Sequence, residues 1–326
     1  MLCTRATEDA GHDAEAPPVR ARGLVKRYGD IVAVAGVDLT VEPGDVFGYL
    51  GPNGAGKTTS LRMMLGLIRP TSGSAKLFGR DPLVVGVKAL EGVAGFVEGP
   101  RFYPYLSGRK NLRLLADYDE PSSRSRIEEV LETVELRDRA KDRVGGYSHG
   151  MRQRLGIAAS LLREPRLLLL DEPATGLDPA GMRDMRDLIK RLAGDGLTIM
   201  LSSHLLYEVE ELCNRVAIIR KGSIVYEGQL EDLLATATTS YLLKTRDPER
   251  ARTICLNQQG LSGVTVEGDG LRFTADEDAV ASLSLALGQA RVAITRLVAE
   301  TQNLEELFLG MTGGESSDHD REALAS

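Results

Sequence analysis

The sequence predicts an α/β fold built on a parallel sheet, with a separate small α+β unit towards the carboxyl end. The segment "DVFGYL", residues 45–50, has the pattern of a buried strand, and it runs through a glycine-rich loop into the helical pattern "SLRMMLGLI". The segment "RLLLLDEP", residues 166–173, is a continuous apolar run that ends in two carboxylates, as expected of a parallel strand buried on both faces. After Leu234 the pattern changes to short strand-like and helix-like segments, which predicts the α+β unit.

The length of the chain bounds its domain organisation. With 326 residues, of which 42% are hydrophobic, the chain can bury one sizeable core and a smaller one. Polar, acidic and Gly/Ser-rich composition at both ends predicts disorder there. The predicted organisation is a disordered segment over 1–18, an α/β domain over 19–234 with a helical subdomain at about 85–165, an α+β extension over 239–312 and a disordered tail over 313–326.

The charge balance and cysteine content exclude several classes of protein. Forty Lys and Arg against 47 Asp and Glu give a net charge of -7, so no nucleic-acid partner is expected. The three cysteines lack metal-ligand spacing and fit a reduced cytosolic setting. No apolar stretch approaches the roughly 20 residues of a spanning helix, and the first 18 residues lack the apolar centre of a secretion signal. We therefore expect a chain that does not cross a bilayer by itself.

The glycine-rich loop has the spacing G-x-x-x-x-G-K-[ST] and predicts a phosphate site. Its glycines allow backbone N–H groups to turn inward around a phosphate, and the following helix N-terminus adds partial positive charge. Lys57 is expected to reach the β- and γ-phosphates, and the Thr58 hydroxyl is expected to ligate Mg²⁺. A chance glycine turn is disfavoured by the flanking strand and helix. The predicted nucleotide-binding residues of this loop are Gly51, Pro52, Asn53, Gly54, Ala55, Gly56, Lys57, Thr58 and Thr59.

The two carboxylates after the leucine run complete a hydrolytic site. Ligands bind at the carboxyl ends of strands in such sheets. We expect Asp171 to hold Mg²⁺, and Glu172 to align and deprotonate the water that attacks the γ-phosphate. Two acids could instead simply end a strand, but the phosphate loop favours the catalytic interpretation. Together the two segments predict a P-loop ATPase or GTPase, and no Asn-Lys-x-Asp motif for guanine is found.

Three further segments, "YSHGMRQR", "LLLLDEPATGLDPA" and "IMLSSHLLYEVE", resemble the nucleotide-binding subunit of ATP-binding cassette (ABC) transporters. The resemblance covers about Val19 to Leu234. It implies an α/β fold with a P-loop NTPase core of the ABC type and a helical subdomain, to which this chain adds the small α+β C-terminal extension. Ser148 and Gly150 match the family's Leu-Ser-Gly-Gly-Gln signature, whereas His149 and Met151 depart from it. In the family, ATP lies between the phosphate loop of one cassette and the signature of another, so a homodimer or heterodimer is implied.

The resemblance also assigns four single residues. Asp178 matches the loop that communicates between the two sites, and His204 matches the switch histidine that contacts the γ-phosphate. Tyr28 stands where an aromatic ring stacks on adenine, and Glu98 stands where most members carry glutamine. Plainer interpretations remain open: a capping role for the signature serine, a structural histidine and an exposed hairpin tyrosine.

The implied function is ATP hydrolysis that powers export through a separate polytopic membrane permease, at the cytoplasmic face of the cell membrane. The pattern of residues 96–112 resembles exporters of peptide antibiotics or drugs. Alternatives are a soluble ABC ATPase that acts on ribosomes or DNA, and a regulatory module with negligible hydrolysis. The aromatic cluster Phe102, Tyr103, Tyr105 and Leu106 either receives the membrane subunit or forms part of the subdomain's own core.

Overall fold

The computed structural model describes residues 16–119, 121–236, 239–301 and 304–312. The predicted disorder of 1–18 falls, for residues 1–15, outside the described residues, as does the predicted tail over 313–326. The chain divides into two compact units, Met1–Leu230 and Glu231–Ser326. Each unit is described by itself.

Two sheets organise the first unit. Its strands are, in chain order, β1 (Val19–Tyr28), β2 (Ile31–Val41), β3 (Val46–Leu50), β4 (Ser72–Leu77), β5 (Val93–Phe96), β6 (Leu167–Asp171), β7 (Thr198–Ser203), β8 (Arg215–Arg220) and β9 (Ser223–Gln229). Within the described residues, a six-stranded sheet has the order β5-β6-β7-β3-β8-β9, and a three-stranded sheet has the order β2-β1-β4. All neighbours in the larger sheet are parallel except β8 and β9, and the smaller sheet is antiparallel.

Helices and short turns connect the strands of the first unit. They are α1 (Lys57–Met64), α2 (Pro82–Val85), α3 (Gly108–Ala116), α4 (Pro121–Ser125), α5 (Ile127–Thr133), α6 (His149–Leu161), α7 (Pro179–Gly194) and α8 (Leu206–Leu212), with 3-10 turns at Gly86–Leu90 and Val144–Gly146; α9 (Leu230–Ala235) lies at the boundary between the units. In this first unit α3 to α6 lie between β5 and β6 in sequence and form the helical subdomain. Among the residues that the structure describes, no helix is both long and apolar enough to cross a membrane.

The register of the large sheet brings the predicted site residues together. Every residue of β6 and β7 is buried, and for β6 this agrees with its continuous apolar run. Asp171 pairs with Ser202 across β6 and β7, and Leu50 pairs with Ser203 across β3 and β7. The glycine loop after β3, the acids at the end of β6 and His204 after β7 therefore meet at one edge of the sheet.

The two tyrosines of the aromatic cluster lie on the surface of the helical subdomain, whereas Phe102 and Leu106 are half-buried. Tyr103 and Tyr105 are 55% and 65% exposed, and their ring centroids are 5.7 Å apart. The subdomain core is instead formed by aliphatic residues such as Leu112, Leu131 and Leu155, which are fully buried. The two tyrosines are therefore surface residues and not part of that core.

The second unit is a four-stranded antiparallel sheet with a β-α-β-β-α-β order of elements. Its elements are β10 (Thr239–Thr245), α10 (Pro248–Asn257), β11 (Ser262–Glu267), β12 (Gly270–Thr274), α11 (Glu277–Gln289), β13 (Ile294–Thr301) and α12 (Leu304–Thr312), and the strand order is β11-β12-β10-β13. Tyr241, Leu243 and Phe273 share one core with Leu283 and Leu287 of α11. The second unit agrees with the predicted α+β extension.

Candidate nucleotide-binding site

A cavity of about 410 Å³ lies beside the N-terminus of α1, at the carboxyl edge of the large sheet. Its lining combines residues of the glycine loop with residues that follow β6 and β7. The lining residues are Ala33, Pro52, Asn53, Gly54, Gly56, Lys57, Thr58, Thr59, Glu172, Thr175 and His204.

The loop backbone requires glycine at two of its positions. Gly56, immediately before α1, has φ +107°, and a Cβ atom there would lie 2.5 Å from the Ala33 carbonyl oxygen. A Cβ at Gly51 would lie 2.6 Å from the Ile219 carbonyl oxygen. Both distances are shorter than side chains tolerate, so the loop can pass this close to neighbouring backbone only without a side chain. The result is a loop that leads directly into a helix N-terminus, a position that favours anions.

Lys57 occupies the floor of the cavity and is almost fully buried. Its Nζ atom donates to the Gly51 carbonyl oxygen at 2.6 Å and lies 3.2 Å from Glu172 Oε1. A buried ammonium group held by carbonyl and carboxylate oxygens is well placed to exchange those partners for phosphate oxygens.

Asp171 is surrounded by donors at the end of β6. The Thr58 hydroxyl donates to its Oδ2 atom at 3.0 Å, and the Ser202 hydroxyl donates to Oδ1 at 2.5 Å. The Glu98 backbone N–H also donates to Oδ2, at 3.3 Å. A hydroxyl oxygen beside a fixed carboxylate oxygen is the donor set that Mg²⁺ prefers.

Glu172 is held by side chains on both sides. The Thr175 hydroxyl donates to Oε2 at 2.9 Å, and His204 Nδ1 lies 2.7 Å from the same oxygen. Burial alone would raise the pKa of Glu172, but the hydrogen bond with His204 and the charge of Lys57 outweigh it and lower the pKa to about 2. At neutral pH this lowered pKa keeps the Glu172 carboxylate ionised. Glu172 lines the cavity and has a left-handed backbone, with φ 51°.

The signature residues lie elsewhere in the first unit. Ser148 caps α6 and accepts a hydrogen bond from the Met151 N–H at 3.2 Å. Asp178 caps α7 and accepts from the Gly181 N–H at 3.0 Å. Neither residue, nor Gly150, lines the cavity beside Lys57. The capping role left open for the signature serine is therefore present in this structure.

Tyr28 and Glu98 also lie outside the cavity lining. Tyr28, at the end of β1, is 50% exposed, and Lys26 Nζ lies 5.0 Å from its ring centroid. The Glu98 carboxylate forms an ion pair with Arg62 of α1, so its backbone and not its side chain contacts Asp171.

Two contributors to the site were missed by reasoning from the sequence. Ser202 fixes Asp171 through its hydroxyl, and its backbone oxygen and hydroxyl both accept from the Glu172 N–H. Pairing "LLLLD" with "TIMLSS" as neighbouring parallel strands would have placed this serine beside the acids. Thr175 follows Glu172 by three residues and could have been found as a local hydroxyl donor.

The chain is similar in sequence to known proteins over most of its length. The model of the ABC transporter family matches residues 34–175. Among similar proteins, the uncharacterized ABC transporter ATP-binding protein YhcH of Bacillus subtilis is 40% identical, over 85% of this chain and 90% of its own length. The bacitracin transport ATP-binding protein BcrA of Bacillus licheniformis is 36% identical, over 91% and 97%. The daunorubicin resistance ATP-binding protein DrrA3 of Streptomyces coeruleorubidus is 36% identical, over 89% and 94%.

Solved structures give the same answer for the fold. An ATP-binding subunit of an ABC transporter superposes with a TM-score of 0.59 at 28% identity, covering 67% of this chain and 92% of that one. CbiO1 from Clostridium perfringens superposes with a TM-score of 0.62 at 24% identity, covering 68% and 92%. The predicted fold class and family are confirmed: the chain belongs to the ABC transporter family, as an ATP-binding subunit that hydrolyses ATP.

Proposed function

We propose that this chain binds ATP with Mg²⁺ in the cavity beside α1 and, paired with a second ABC subunit, uses ATP hydrolysis to drive export through a separate membrane permease. The observation that carries the proposal is the meeting of Lys57, Thr58 and Glu172 around one cavity, with Asp171 hydrogen-bonded to Thr58 beside it. The phosphate-loop residues Gly51 to Thr59 hold the triphosphate through backbone N–H groups and the Lys57 ammonium.

Thr58 and Asp171 are the residues that fit Mg²⁺, because their oxygen atoms already lie 3.0 Å apart with Asp171 oriented by Ser202. Bound there with the triphosphate, Mg²⁺ would neutralise charge on the phosphate oxygens.

Glu172 acts as the general base. It accepts a proton from the water whose oxygen attacks the γ-phosphorus, while the bond from that phosphorus to the bridging oxygen of ADP breaks, giving ADP and inorganic phosphate. Phosphate oxygens compete with Glu172 for Lys57 and His204, both of which contact its carboxylate. Triphosphate binding therefore frees Glu172 to face water, and His204 contacts the γ-phosphate.

The signature serine and glycine serve the site of a second subunit. Ser148 and Gly150 stand at the N-terminus of the 13-residue helix α6, away from the Lys57 cavity. A helix N-terminus with a hydroxyl group is a second anion site. Because this site and the Lys57 cavity lie apart on one chain, a single ATP can contact both only when two chains pack together. Asp178, at the start of α7, belongs to the same intersubunit seam. We propose a homodimer, with a heterodimer as the other arrangement that the same seam permits.

The membrane permease is proposed to dock on a groove of about 440 Å³ beside the aromatic cluster. Its lining combines apolar side chains with a charged rim: Ala94, Gly95, Phe96, Pro100, Arg101, Phe102, Leu115, Tyr118, Asp119, Gly156, Ala159, Ser160, Leu162 and Arg163. Such a groove suits a short amphipathic helix. Docking there places the chain at the cytoplasmic face of the cell membrane. The names of BcrA and DrrA3 support a peptide antibiotic or a drug as cargo, and no nucleic-acid partner is proposed.

Two residues outside the cavity lining are proposed to contact the bound nucleotide or its metal ion. Tyr28 is proposed to stack on adenine, for which half of its surface is free. Glu98 is proposed to approach the metal site through its loop, since its backbone N–H contacts Asp171.

The test compares purified variants by ATP binding and by phosphate release. Glu172→Gln should keep ATP binding but lose about 100-fold or more in turnover, because the amide cannot accept the proton. Lys57→Ala should lose ATP binding itself. The matched control is Glu164→Gln, a second glutamate with a left-handed backbone (φ 48°) that lies outside the cavity. Normal turnover by Glu172→Gln would refute the general-base assignment, and co-purification with no polytopic membrane protein would refute the transport role.

A further inference from the structure

An ion pair links the loop after β5 to the phosphate-loop helix. Arg62 Nη2 contacts Glu98 Oε1, with 34% of the arginine side chain and 57% of the glutamate side chain exposed. Arg62 lies on α1, five positions after Lys57. The arginine therefore belongs to the same rigid helix that begins at the phosphate site.

The backbone of Glu98 is anchored at the opposite side, against the proposed metal site. Its N–H donates to Asp171 Oδ2 at 3.3 Å, the same oxygen that accepts from the Thr58 hydroxyl at 3.0 Å. Glu98 also has a left-handed backbone, with φ 63°. The backbone of Glu98 therefore contacts Asp171, whereas its carboxylate points towards α1.

The charges explain why this orientation matters. A carboxylate at this position repels both Asp171 and a triphosphate, a problem that a neutral side chain would not create. Pairing with Arg62 neutralises the carboxylate and fixes where it points. An exposed pair of this kind contributes little to folding stability, so its effect should fall on ligand binding.

We propose that Arg62 is a positioning residue that neutralises Glu98 and holds its carboxylate away from the triphosphate site. This inference rests on the proposed function of the site as an ATP site. Pairing with Arg62 on α1 would allow the loop to carry the acidic residue Glu98 without repelling the nucleotide.

The experiment is a double-mutant cycle on ATP binding, made in the Glu172→Gln background so that hydrolysis does not interfere. The variants are Arg62→Gln, Glu98→Gln and both together, and ATP affinity is measured by calorimetry with Mg²⁺ and again in EDTA. The matched control is Arg80→Gln, which opens the Arg80–Glu91 pair of similar exposure, 37% and 64%, between two residues outside α1.

Arg62→Gln should weaken ATP binding about fivefold, because the unpaired carboxylate is free to turn towards the phosphates. The loss should be larger in EDTA and smaller at high salt. Glu98→Gln removes the carboxylate but keeps the backbone N–H that contacts Asp171, so Arg62 should then no longer matter, and the double variant should bind ATP as tightly as Glu98→Gln alone. Arg80→Gln should bind like the parent.

Three results would overturn the proposal. One is an unchanged affinity in Arg62→Gln, and another is an equal loss in Arg62→Gln and the double variant, which would mean that Arg62 contacts the nucleotide directly. The third is a matching loss in Arg80→Gln, which would reduce the effect to net charge. If the Glu172→Gln parent binds no ATP, the proposed function itself fails, and this outcome is distinguishable from the other three.

Discussion

Replacement of Glu208 should change how the stability of the first unit depends on pH. Glu208 lies on α8, one turn after His204, and only 5% of the residue is exposed. Burial raises the pKa of its carboxyl group from 4.5 to about 7, with Arg186 opposing the rise and Glu172 adding to it. His204 and Tyr207 also face the group and oppose the rise.

The direction of the pH dependence follows from how tightly the folded and unfolded states bind the Glu208 proton. Because the folded state holds the Glu208 proton more tightly than the unfolded state, its contribution to stability is full below pH 4.5 and is lost as pH rises through about 7. Each pKa unit corresponds to about 1.4 kcal/mol, so the complete loss is about 3 kcal/mol. Glu208→Gln removes the titration, since glutamine stays neutral.

The assay is thermal and urea unfolding of both proteins between pH 5 and pH 8, followed by circular dichroism. The two should differ in stability by less than about 1 kcal/mol at pH 5, and Glu208→Gln should be more stable by up to about 3 kcal/mol at pH 8. The control is Glu210→Gln on the exposed face of the same helix, which should show no such trend. A stability difference between Glu208→Gln and the native chain that is the same at pH 5 and pH 8 would refute the reasoning.

Two further predictions concern the nucleotide site. Gly56→Ala should abolish ATP binding and lower the free energy of unfolding by about 1–3 kcal/mol, because its Cβ would lie 2.5 Å from the Ala33 carbonyl oxygen at φ +107°; calorimetry and urea unfolding measure both, and a variant that binds ATP normally would contradict the geometry. Tyr28→Ala should weaken ATP binding about five- to tenfold through lost stacking, whereas Tyr28→Phe should keep it; equal affinity in all three proteins would remove the adenine contact.

Much of the site was predictable because it follows from strand order. Parallel strands place their carboxyl ends at one edge of the sheet. Once β3 and β6 are assigned to the same parallel sheet, the glycine loop after β3 and the acids at the end of β6 are expected at that edge. The buried pattern "LLLLD" identified β6, and Lys57 and Glu172 were found by residue type and spacing. In the structure, Lys57 Nζ lies 3.2 Å from Glu172 Oε1.

The remainder depends on contacts that spacing does not encode. The hydroxyl of Ser202 binds Asp171 because of the register between β6 and β7, which a single sequence leaves free. The pairing of Glu98 with Arg62 joins residues 36 positions apart, on a loop and on a helix. The sequence could not predict whether Tyr103 is exposed, because an aromatic cluster has the same sequence pattern in a core and on a docking surface.

The central claim is that one ATP joins Lys57 of one copy to Ser148 of another. It is tested most directly by mixing two inactive variants in the Glu172→Gln background, Lys57→Ala and Ser148→Arg, and measuring mass by light scattering with ATP present. Each variant alone should stay monomeric, whereas the mixture should form dimers that hold one ATP, because one of the two seams is then intact. A mixture that stays monomeric under conditions in which Glu172→Gln itself dimerises with ATP would contradict the account.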